Sequence, residues 1–274
     1  MLEVIKLKRS TYYYHAKRAL QIDKYARARE CIRAIYQDHK GRYGYRRMTA
    51  ALKAQGLILN HKTVLKLMKS ENVLCKVRIK KYRSFLGEVG QIAPNLLQRD
   101  FTTAAPNQKW ATDITEFRMF GERCYLSVLM DLHTQDVIHF TMANNPKLPL
   151  VTRMIDEALK REPEAGKGLI IHSDQGWHYQ HRAYRDILSA REISQSMSRR
   201  GNCLDNAMME GFFGILKSEL LYLQEFNSMD HFKEELISYM DYYNNRRIKL
   251  KLNGLPPAVY RRQVQEALFN SFSV

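Results

Sequence analysis

Three acidic residues lie in segments whose other residues favour buried elements. Asp113 lies within the strand-like run WATDITEF, Asp174 follows the apolar run GLIIHS, and Glu210 lies in the helical segment DNAMMEGFFGILKSE. There are 60 residues between the first two acids and 35 between the second and third. Such spacing also arises by chance, so the context of each acid is what supports a common site.

Carboxylates that are held close together repel one another and raise each other's pKa unless a cation neutralises them. Mg²⁺ prefers oxygen ligands of this kind. We therefore expect Asp113, Asp174 and Glu210 to hold two Mg²⁺ ions, with Mn²⁺ as a substitute. For a single acid a helix cap or a salt bridge is the alternative, and we expect that role of four others: Asp131, Asp136, Asp156 and Asp205.

The excess positive charge is confined to the first 100 residues. They hold 23 Lys and Arg against 7 Asp and Glu, whereas residues 101–274 hold 21 of each. A basic segment joined to a neutral one predicts that the first part meets a polyanion, nucleic acid above all. The hydrophobic content of 45% excludes wholesale disorder.

Three classes of protein are not expected from this sequence. No apolar run is long enough for a membrane span. The N-terminal residues lack the apolar stretch and small-residue cleavage site of a signal peptide. The four cysteines form no CxxC pair, which argues against a structural zinc site and a disulfide framework. A reduced, intracellular compartment fits these features.

The basic segment predicts short helices. Apolar residues recur at helical spacing in residues 24–38, 46–56 and 61–72. Gly56 is expected to end the second helix, and Asn60 is expected to cap the third. Two short helices joined by a tight turn are typical of a helix-turn-helix, although such pairs also occur in other α-rich proteins.

The outer surface of this helix pair is basic. It carries the predicted DNA contacts of the region, which are Arg46, Arg47, Lys62, Lys66 and Lys69. A solvated helix face is the alternative. The following run CKVRIKKYR (75–83) alternates apolar and basic residues, which fits a β-ribbon or an extended arm.

From residue 107 onwards the pattern changes. Three strand-like runs joined by short turns are followed by helical and strand-like segments in alternation, with a long helix expected from about 205 to 222. This order predicts a mixed α/β sheet. A further helical stretch and a Pro-rich tail follow.

Several segments resemble bacterial insertion-sequence transposases with an acidic triad, whose catalytic core is shared with retroviral integrases. KWATDITEF, IIHSDQGWHYQ and SRRGNCLDNAMMEGFFGILKSE resemble that core. YGYRRMTAALKAQG, YYNNRRIK and LNGLPPAVY resemble its flanks, so the resemblance covers nearly the whole chain. It implies a ribonuclease-H-like mixed-sheet α/β core preceded by a basic all-α helix-turn-helix-like region.

The resemblance also implies an activity. It assigns Asp113, Asp174 and Glu210 as ligands for divalent-metal-dependent cleavage at element ends and transfer of the 3′-OH strand. Water would be the nucleophile in the first step and the freed 3′-OH in the second, so no Ser or Tyr nucleophile is needed. The alternatives are a nuclease of the same fold that only hydrolyses, and a non-catalytic DNA-binding regulator of transposition.

We expect four regions in the chain. Residues 1–75 form the DNA-binding region, 76–106 a basic arm and linker, 107–225 the catalytic core, and 226–274 a C-terminal helical extension. The expected partners are double-stranded DNA at element ends and target, and at least a second copy of the chain. In this family the catalytic frame is often the second of two, so an upstream-frame DNA-binding protein is a further expected partner. The expected location is the bacterial cytoplasm, at the nucleoid.

Four residues near the triad are predicted to contact DNA. Lys217 lies two helical turns after Glu210 on the same face, where it either reaches a phosphate or is a solvated surface lysine. Asn206, one turn before Glu210, orients the acid, touches DNA or caps the helix. Arg199 and Arg200 lie in a loop and are expected to contact phosphate.

The residues that follow Asp174 and those that end the last predicted helix each fit two roles. Trp177 stacks on a base or packs the loop. His178 and His181 have HxxH spacing, but no second ligand pair accompanies them, which disfavours zinc. The cluster YYNNRR (242–247) either binds backbone phosphates or caps and packs the core.

Overall fold

Two units make up the chain. A computed structural model describes residues 8–19, 23–77, 92–199 and 203–272. It divides into a basic unit, residues 1–75, and a core unit, residues 76–274. Within the described ranges, no helix is long and apolar enough to cross a membrane.

The basic unit is helical, as predicted. Its helices are α1 (Arg9–Ala19), α2 (Ala26–Asp38), α3 (Tyr45–Ala54) and α4 (His61–Ser70). Gly56 follows α3 with a left-handed φ of +81°, which favours glycine. The Asn60 side chain accepts a hydrogen bond from the Lys62 backbone N–H at 2.8 Å. The predicted helix end and cap are therefore confirmed.

The buried face of the basic unit leaves the lysines of α4 outside. Val64, Leu67 and Met68 of α4 are buried, whereas Lys62, Lys66 and Lys69 are exposed. At the end of α4, Glu71 accepts hydrogen bonds from Arg29 at 2.8 Å and Arg33 at 2.5 Å, which tie this end to α2. Most of the arm predicted at 75–83 lies outside the described residues.

A five-stranded mixed sheet forms the centre of the core unit. Its strands are β1 (Lys109–Met119), β2 (Glu122–Asp131), β3 (Val137–Ala143), β4 (Ile170–Ser173) and β5 (Ser194–Met197). The spatial order is β3-β2-β1-β4-β5. Strands β1 to β3 are antiparallel, and β4 runs parallel to both β1 and β5. This arrangement confirms the predicted ribonuclease-H-like fold.

A two-residue turn joins β1 to β2. Phe120 and Gly121 both have positive φ, +54° and +74°. This combination suits a tight hairpin because its twist matches that of the strands. The turn sets a register in which Asp113 lies opposite Val128.

Helices and short turns cover both faces of the sheet. The helices are α5 (Pro149–Arg161), α6 (Trp177–Gln180), α7 (Arg182–Ser189), α8 (Ala207–Leu216), α9 (Met229–Asn245) and α10 (Pro257–Phe272). A 3₁₀ turn at Cys203–Asn206 precedes α8, a π-turn at Lys217–Leu221 follows it, and a second 3₁₀ turn spans Leu250–Leu252. Leu129 of β2 packs with α5 and α7, whereas its neighbour Val128 packs with α8 and α9. Alternate strand residues thus enter two separate apolar layers.

Two sequence predictions differ from the structure. The helix expected at about 205–222 is regular only over Ala207–Leu216, because a π-turn continues it. The segment interpreted as a Pro-rich tail forms α10, which begins at Pro257. Proline suits the first turn of a helix, where a backbone N–H has no partner within the helix.

The predicted ion pairs of isolated acids are present for three of the four. Arg261 of α10 reaches Asp131 and Asp136, each at 3.3 Å, and Arg199 pairs with Asp205 at 3.0 Å. Asp156 is exposed on α5. Asp131, Asp136 and Asp205 thus have the ion-pair partners expected of single carboxylates.

The end of α9 packs the core. Asn244 accepts a hydrogen bond from the Val137 N–H at 2.9 Å and donates one to the Val137 carbonyl at 2.8 Å. Arg247 donates to both oxygens of Glu219 at 2.7 Å, and the Tyr239 hydroxyl adds a bond of 3.1 Å. The side chains of this ion pair are only 1% and 3% exposed. For Asn244 and Arg247, the packing interpretation is the correct one.

Loss of the buried pair is expected to destabilise the core unit. Glu219→Gln leaves the Arg247 charge buried without its partner, which costs about 3 kcal/mol of unfolding free energy. Urea unfolding followed by tryptophan fluorescence measures this, because both tryptophans, Trp110 and Trp177, lie in the core unit. Glu157→Gln is the control: its exposed pair with Lys160 is worth less than about 1 kcal/mol. Equal losses in the two variants would contradict this expectation.

Candidate active site

The sheet brings the first two acids together. Strands β1 and β4 are parallel neighbours, with Ala111 opposite His172. Asp113 and Asp174 each lie two residues after this pair. The same register therefore sets them side by side on one face of the sheet. Asp174 directly follows the end of β4, where the chain leaves the sheet.

Glu210 joins them from α8. It lies in the first turn of this helix, next to Met209, whose buried side chain belongs to the same apolar layer as Ala111 of β1. All three carboxylates are partly buried. Two strands and one helix thus direct three acids towards one place.

The three acids act on one another electrostatically. Burial raises the pKa of Asp113 well above its usual range, and the charges of Asp174 and Glu210 raise it further. Burial also raises the pKa values of Asp174 and Glu210. An enclosed group of anions whose charge is unfavourable is expected to attract a cation.

Their hydrogen bonds leave ligand atoms available. Asp113 Oδ1 accepts the Ile114 N–H at 2.7 Å, and Asp174 Oδ1 accepts the Gly176 N–H at 2.8 Å. The structure gives neither Oδ2 a hydrogen bond among the residues it describes. Such oxygen donors fit a hard divalent ion.

The three carboxylates act on one another electrostatically without forming a joint set of metal ligands. Within the described ranges, no group of three or more His, Cys, Asp or Glu side chains is placed to hold a metal ion in common.

Two residues that the sequence analysis did not single out shape the site next to Asp174. A Cβ added to Gly176 would lie 2.9 Å from Asp174 Oδ1 and 3.4 Å from the Tyr179 ring. The Tyr179 hydroxyl is 3.4 Å from Thr112 Oγ1, and burial together with the charges of Asp174 and Asp113 raises its pKa well above the usual value. Tyr179 therefore remains a neutral hydroxyl beside the acids.

Lys217 is the first residue of the π-turn that continues α8. Its half-buried position lowers the pKa of its ammonium group, and the charge of Asp113 opposes that shift. Its Nζ is 5.7 Å from the centre of the Phe117 ring on β1. The structure thus places Lys217 in the electrostatic field of the acids.

The other predicted contacts beside the triad have different surroundings. Arg199 donates to both oxygens of Asp205 at 3.0 Å, although its side chain is still 58% exposed. Asn206 is 6% exposed and occupies the N-cap position of α8, but its side chain makes no capping hydrogen bond. Its Oδ1 has no hydrogen-bond partner among the described residues. Arg200 lies outside them.

The aromatic and histidine residues after Asp174 each have different neighbours. Trp177 is 49% exposed, and its ring stacks on His178 with 4.0 Å between centroids. His178 Nε2 lies 2.6 Å from the Pro146 carbonyl, to which it must donate. His181 Nδ1 accepts the Ala183 N–H at 3.2 Å and caps α7. Each histidine thus has a local hydrogen-bond partner of its own.

The predicted DNA contacts of the basic unit lie on α3 and α4. Arg46 is exposed, and its Nε donates to the Tyr45 hydroxyl at 3.2 Å. The Arg47 guanidinium lies over the Tyr43 ring, 5.8 Å from its centre. Together with the exposed lysines of α4, they give this unit a basic surface.

Comparison with known families accounts for most of the chain. Residues 24–81 match the HTH-like domain family. Residues 103–203 and 210–264 match two families that are both described as integrase core domains. The second and third matches contain Asp113, Asp174 and Glu210.

Individual relatives are similar along nearly their whole length. The chain is 47% identical to the IS150 transposase InsK of Escherichia coli (strain K12) over 96% of this chain and 93% of that protein. It is 31% identical to the transposase InsF for insertion sequence IS3A of the same organism, with the same two shares. The catalytic core of the HTLV-2 integrase, solved in complex with magnesium, aligns with a TM-score of 0.45 and 19% identity over 60% of this chain and 99% of that one.

The matches to the two transposases extend across the basic unit and the core unit alike. The chain therefore belongs to the insertion-sequence transposases with an integrase core domain, a family of polynucleotidyl transferases.

Proposed function

We propose that this transposase cuts DNA at the ends of its element and joins the freed 3′-OH to a second phosphodiester at Asp113, Asp174 and Glu210. The observation that carries the proposal is the register of β1 and β4, which sets Asp113 beside Asp174, together with the packing of α8, the helix of Glu210, against β1. The charges of both other acids raise the pKa of Asp113. The carboxylates of Asp113, Asp174 and Glu210 come from three separate elements and act on one another electrostatically. A fold held together by ordinary salt bridges does not need such an arrangement.

Two divalent ions, Mg²⁺ or Mn²⁺, are the cofactors that suit this site. When bound, they activate the attacking oxygen and stabilise the leaving oxygen of an in-line displacement. Asp113, whose pKa is raised by both other acids, would be a ligand of both ions. Asp174 and Glu210 would each be a ligand of one ion. The Gly176 N–H holds the Asp174 carboxylate in place.

The other polar and charged groups beside the triad have roles in holding DNA. Lys217, in the field of Asp113, binds a phosphate beside the acids. Asn206 and the exposed part of Arg199 border the start of α8, and Arg200 follows in the sequence. Since two element ends have to be joined, at least two copies of the chain assemble on DNA. An upstream-frame DNA-binding protein would add recognition of the ends.

Resealing of a pre-branched DNA that mimics a joined end tests the proposed chemistry. The reverse of joining places little demand on end recognition, so a missing partner matters less. With Mg²⁺ or Mn²⁺ the natural protein is expected to reseal the branch. Asp113→Asn and Glu210→Gln each remove one charged ligand and are expected to lower the rate at least 100-fold. Asp156→Asn, on the exposed face of α5, is the control and keeps the rate.

The outcomes separate the candidate functions. Metal-dependent cutting without resealing would identify a nuclease. Tight DNA binding without any reaction would support a non-catalytic regulator of transposition. Resealing that survives the loss of Asp113 or Glu210 would refute the proposed site.

Gly176→Ala tests whether the position of the Asp174 carboxylate matters. The φ of Gly176 is −58°, which any residue adopts, so the only cost of a methyl group is its 2.9 Å approach to Asp174 Oδ1. A displaced ligand is expected to lower the resealing rate about 10- to 100-fold, with little change in the melting temperature.

Gly211→Ala is the matched control for this variant. Gly211 neighbours Glu210 on α8, and a Cβ there meets nothing within 4 Å. Alanine stabilises a helix interior by about 0.5–1 kcal/mol relative to glycine, so this variant keeps its rate and melts slightly higher. Equal rates for the two variants would show that Asp174 tolerates the methyl group.

The exposed lysines of α4 are expected to bind DNA phosphates. Replacing Lys62, Lys66 and Lys69 together by Gln removes about three counterion-releasing contacts, which lowers the slope of log affinity against log salt by about 2.7. Fluorescence anisotropy with duplex DNA at several salt concentrations measures that slope. The control variant replaces three exposed lysines of the core unit, Lys160, Lys167 and Lys251. Identical slopes in the two triple variants would contradict the assignment.

A further inference from the structure

Asp205 is a fully buried carboxylate at the start of the helix that carries Glu210. It lies in the 3₁₀ turn that leads into α8, five residues before Glu210, and its side chain is 0% exposed. Hydrogen bonds from Arg199 hold the pKa of this carboxyl well below its usual range. The Asp205 carboxylate is therefore ionised and has only protein groups, not solvent, around it.

Both oxygens of Asp205 are fully engaged. Oδ2 accepts the Arg199 N–H and Nε–H, each at 3.0 Å, and the amide of Asn95 at 2.9 Å. Oδ1 accepts Arg199 Nη2 at 3.0 Å and Arg99 Nε at 3.1 Å. Five donors from two other chain segments thus converge on one side chain.

The segment that supplies Asn95 and Arg99 is held in an unfavourable backbone conformation. Gln98 and Arg99 are consecutive non-glycine residues with φ of +48° and +68°. Each costs about 1–2 kcal/mol relative to a right-handed conformation. Such strain persists where surrounding contacts over-determine it, and it is often found at functional sites. The contacts with Asp205 are among those that hold this segment.

The second segment ties Asp205 to the strand that ends at Asp174. Arg199 follows β5, and Ser198 before it donates its N–H to the Ser173 carbonyl at 2.9 Å. Ser173 is the last residue of β4 and directly precedes Asp174. The path from Asp205 through Arg199 to this strand end is short, and every step is a hydrogen bond or a peptide bond.

We propose that Asp205 is a positioning residue that sets where Glu210 stands relative to Asp113 and Asp174. Asn95 and Arg99, which precede the matched integrase domain at residues 103–203, take part in this placement through their bonds to Asp205. The inference rests on the proposed function, because it assigns Glu210 a place beside the other two acids.

Asp205→Asn in the full chain tests this role. The amide keeps the shape but turns one acceptor towards the arginines into a donor, so the start of α8 loses its attachment. Calorimetric titration is expected to give at least tenfold weaker Mn²⁺ binding. The kcat of resealing is expected to fall at least tenfold, with an unchanged KM for the branched DNA. Asp186→Asn, which breaks an exposed pair with Arg182, is the control and retains Mn²⁺ affinity and kcat.

Arg99→Gln is the second variant and decides the question if Asp205→Asn fails to fold. It removes one donor and leaves Asp205 paired with Arg199. We expect Mn²⁺ affinity and kcat to fall about threefold or more, with the circular dichroism spectrum unchanged. The control for Arg99→Gln is Arg182→Gln, because Arg182 forms an exposed ion pair with Asp186.

The failure of this inference differs from failure of the proposed function. The positioning role would be overturned if folded Asp205→Asn kept the Mn²⁺ affinity and kcat of the natural protein while Asp113→Asn stayed inactive. If Asp205→Asn does not fold, the same result in Arg99→Gln would overturn it. Full resealing by Asp113→Asn itself would instead overturn the proposed function. A fall in both kcat and Mn²⁺ affinity of Asp205→Asn, with controls unaffected, supports the positioning role.

Discussion

The mutual repulsion of the carboxylates of Asp113, Asp174 and Glu210, which are partly buried beside the sheet, is the constraint that the core unit has to meet. Burial and neighbouring charge both disfavour the ionised form of Asp113, so the fold has to hold its acids against an unfavourable field. Rigid elements supply that resistance. Strands β1 and β4 fix Asp113 and Asp174 by their register, and α8 carries Glu210 over the same face.

Buried polar groups around these elements serve the same end. Asp205 ties the start of α8 to the end of β5, and the pair of Glu219 with Arg247 secures its continuation into the π-turn. Lys217, which opens that turn, supplies a positive charge near Asp113. A π-turn within a helix is often found at functional sites. The helix that bears Glu210 is therefore held at both ends by ion pairs whose carboxylates are buried.

Local patterns sufficed for much of the fold. Strand-like runs joined by short turns predicted β1 to β3, and helical spacing with Asn60 as cap predicted α4. The acids were singled out because each lies among apolar residues. Other features have no local signature: Glu219 and Arg247 are 28 residues apart, and Arg99 and Asp205 are 106 apart. The π-turn was missed because KSELL continues the helical pattern, and α10 because two prolines suggested a tail. Gly176 matters through a contact between atoms that only the fold brings together.

The central claim is that Asp113, Asp174 and Glu210 hold divalent ions together. Anomalous diffraction near the manganese absorption edge, from crystals grown with Mn²⁺, tests it most directly. The account predicts density about 2.0–2.6 Å from oxygens of Asp113, and at the same distance from oxygens of Asp174 or Glu210. Crystals of protein that reseals branched DNA, but whose manganese density lies away from these three acids, would contradict it.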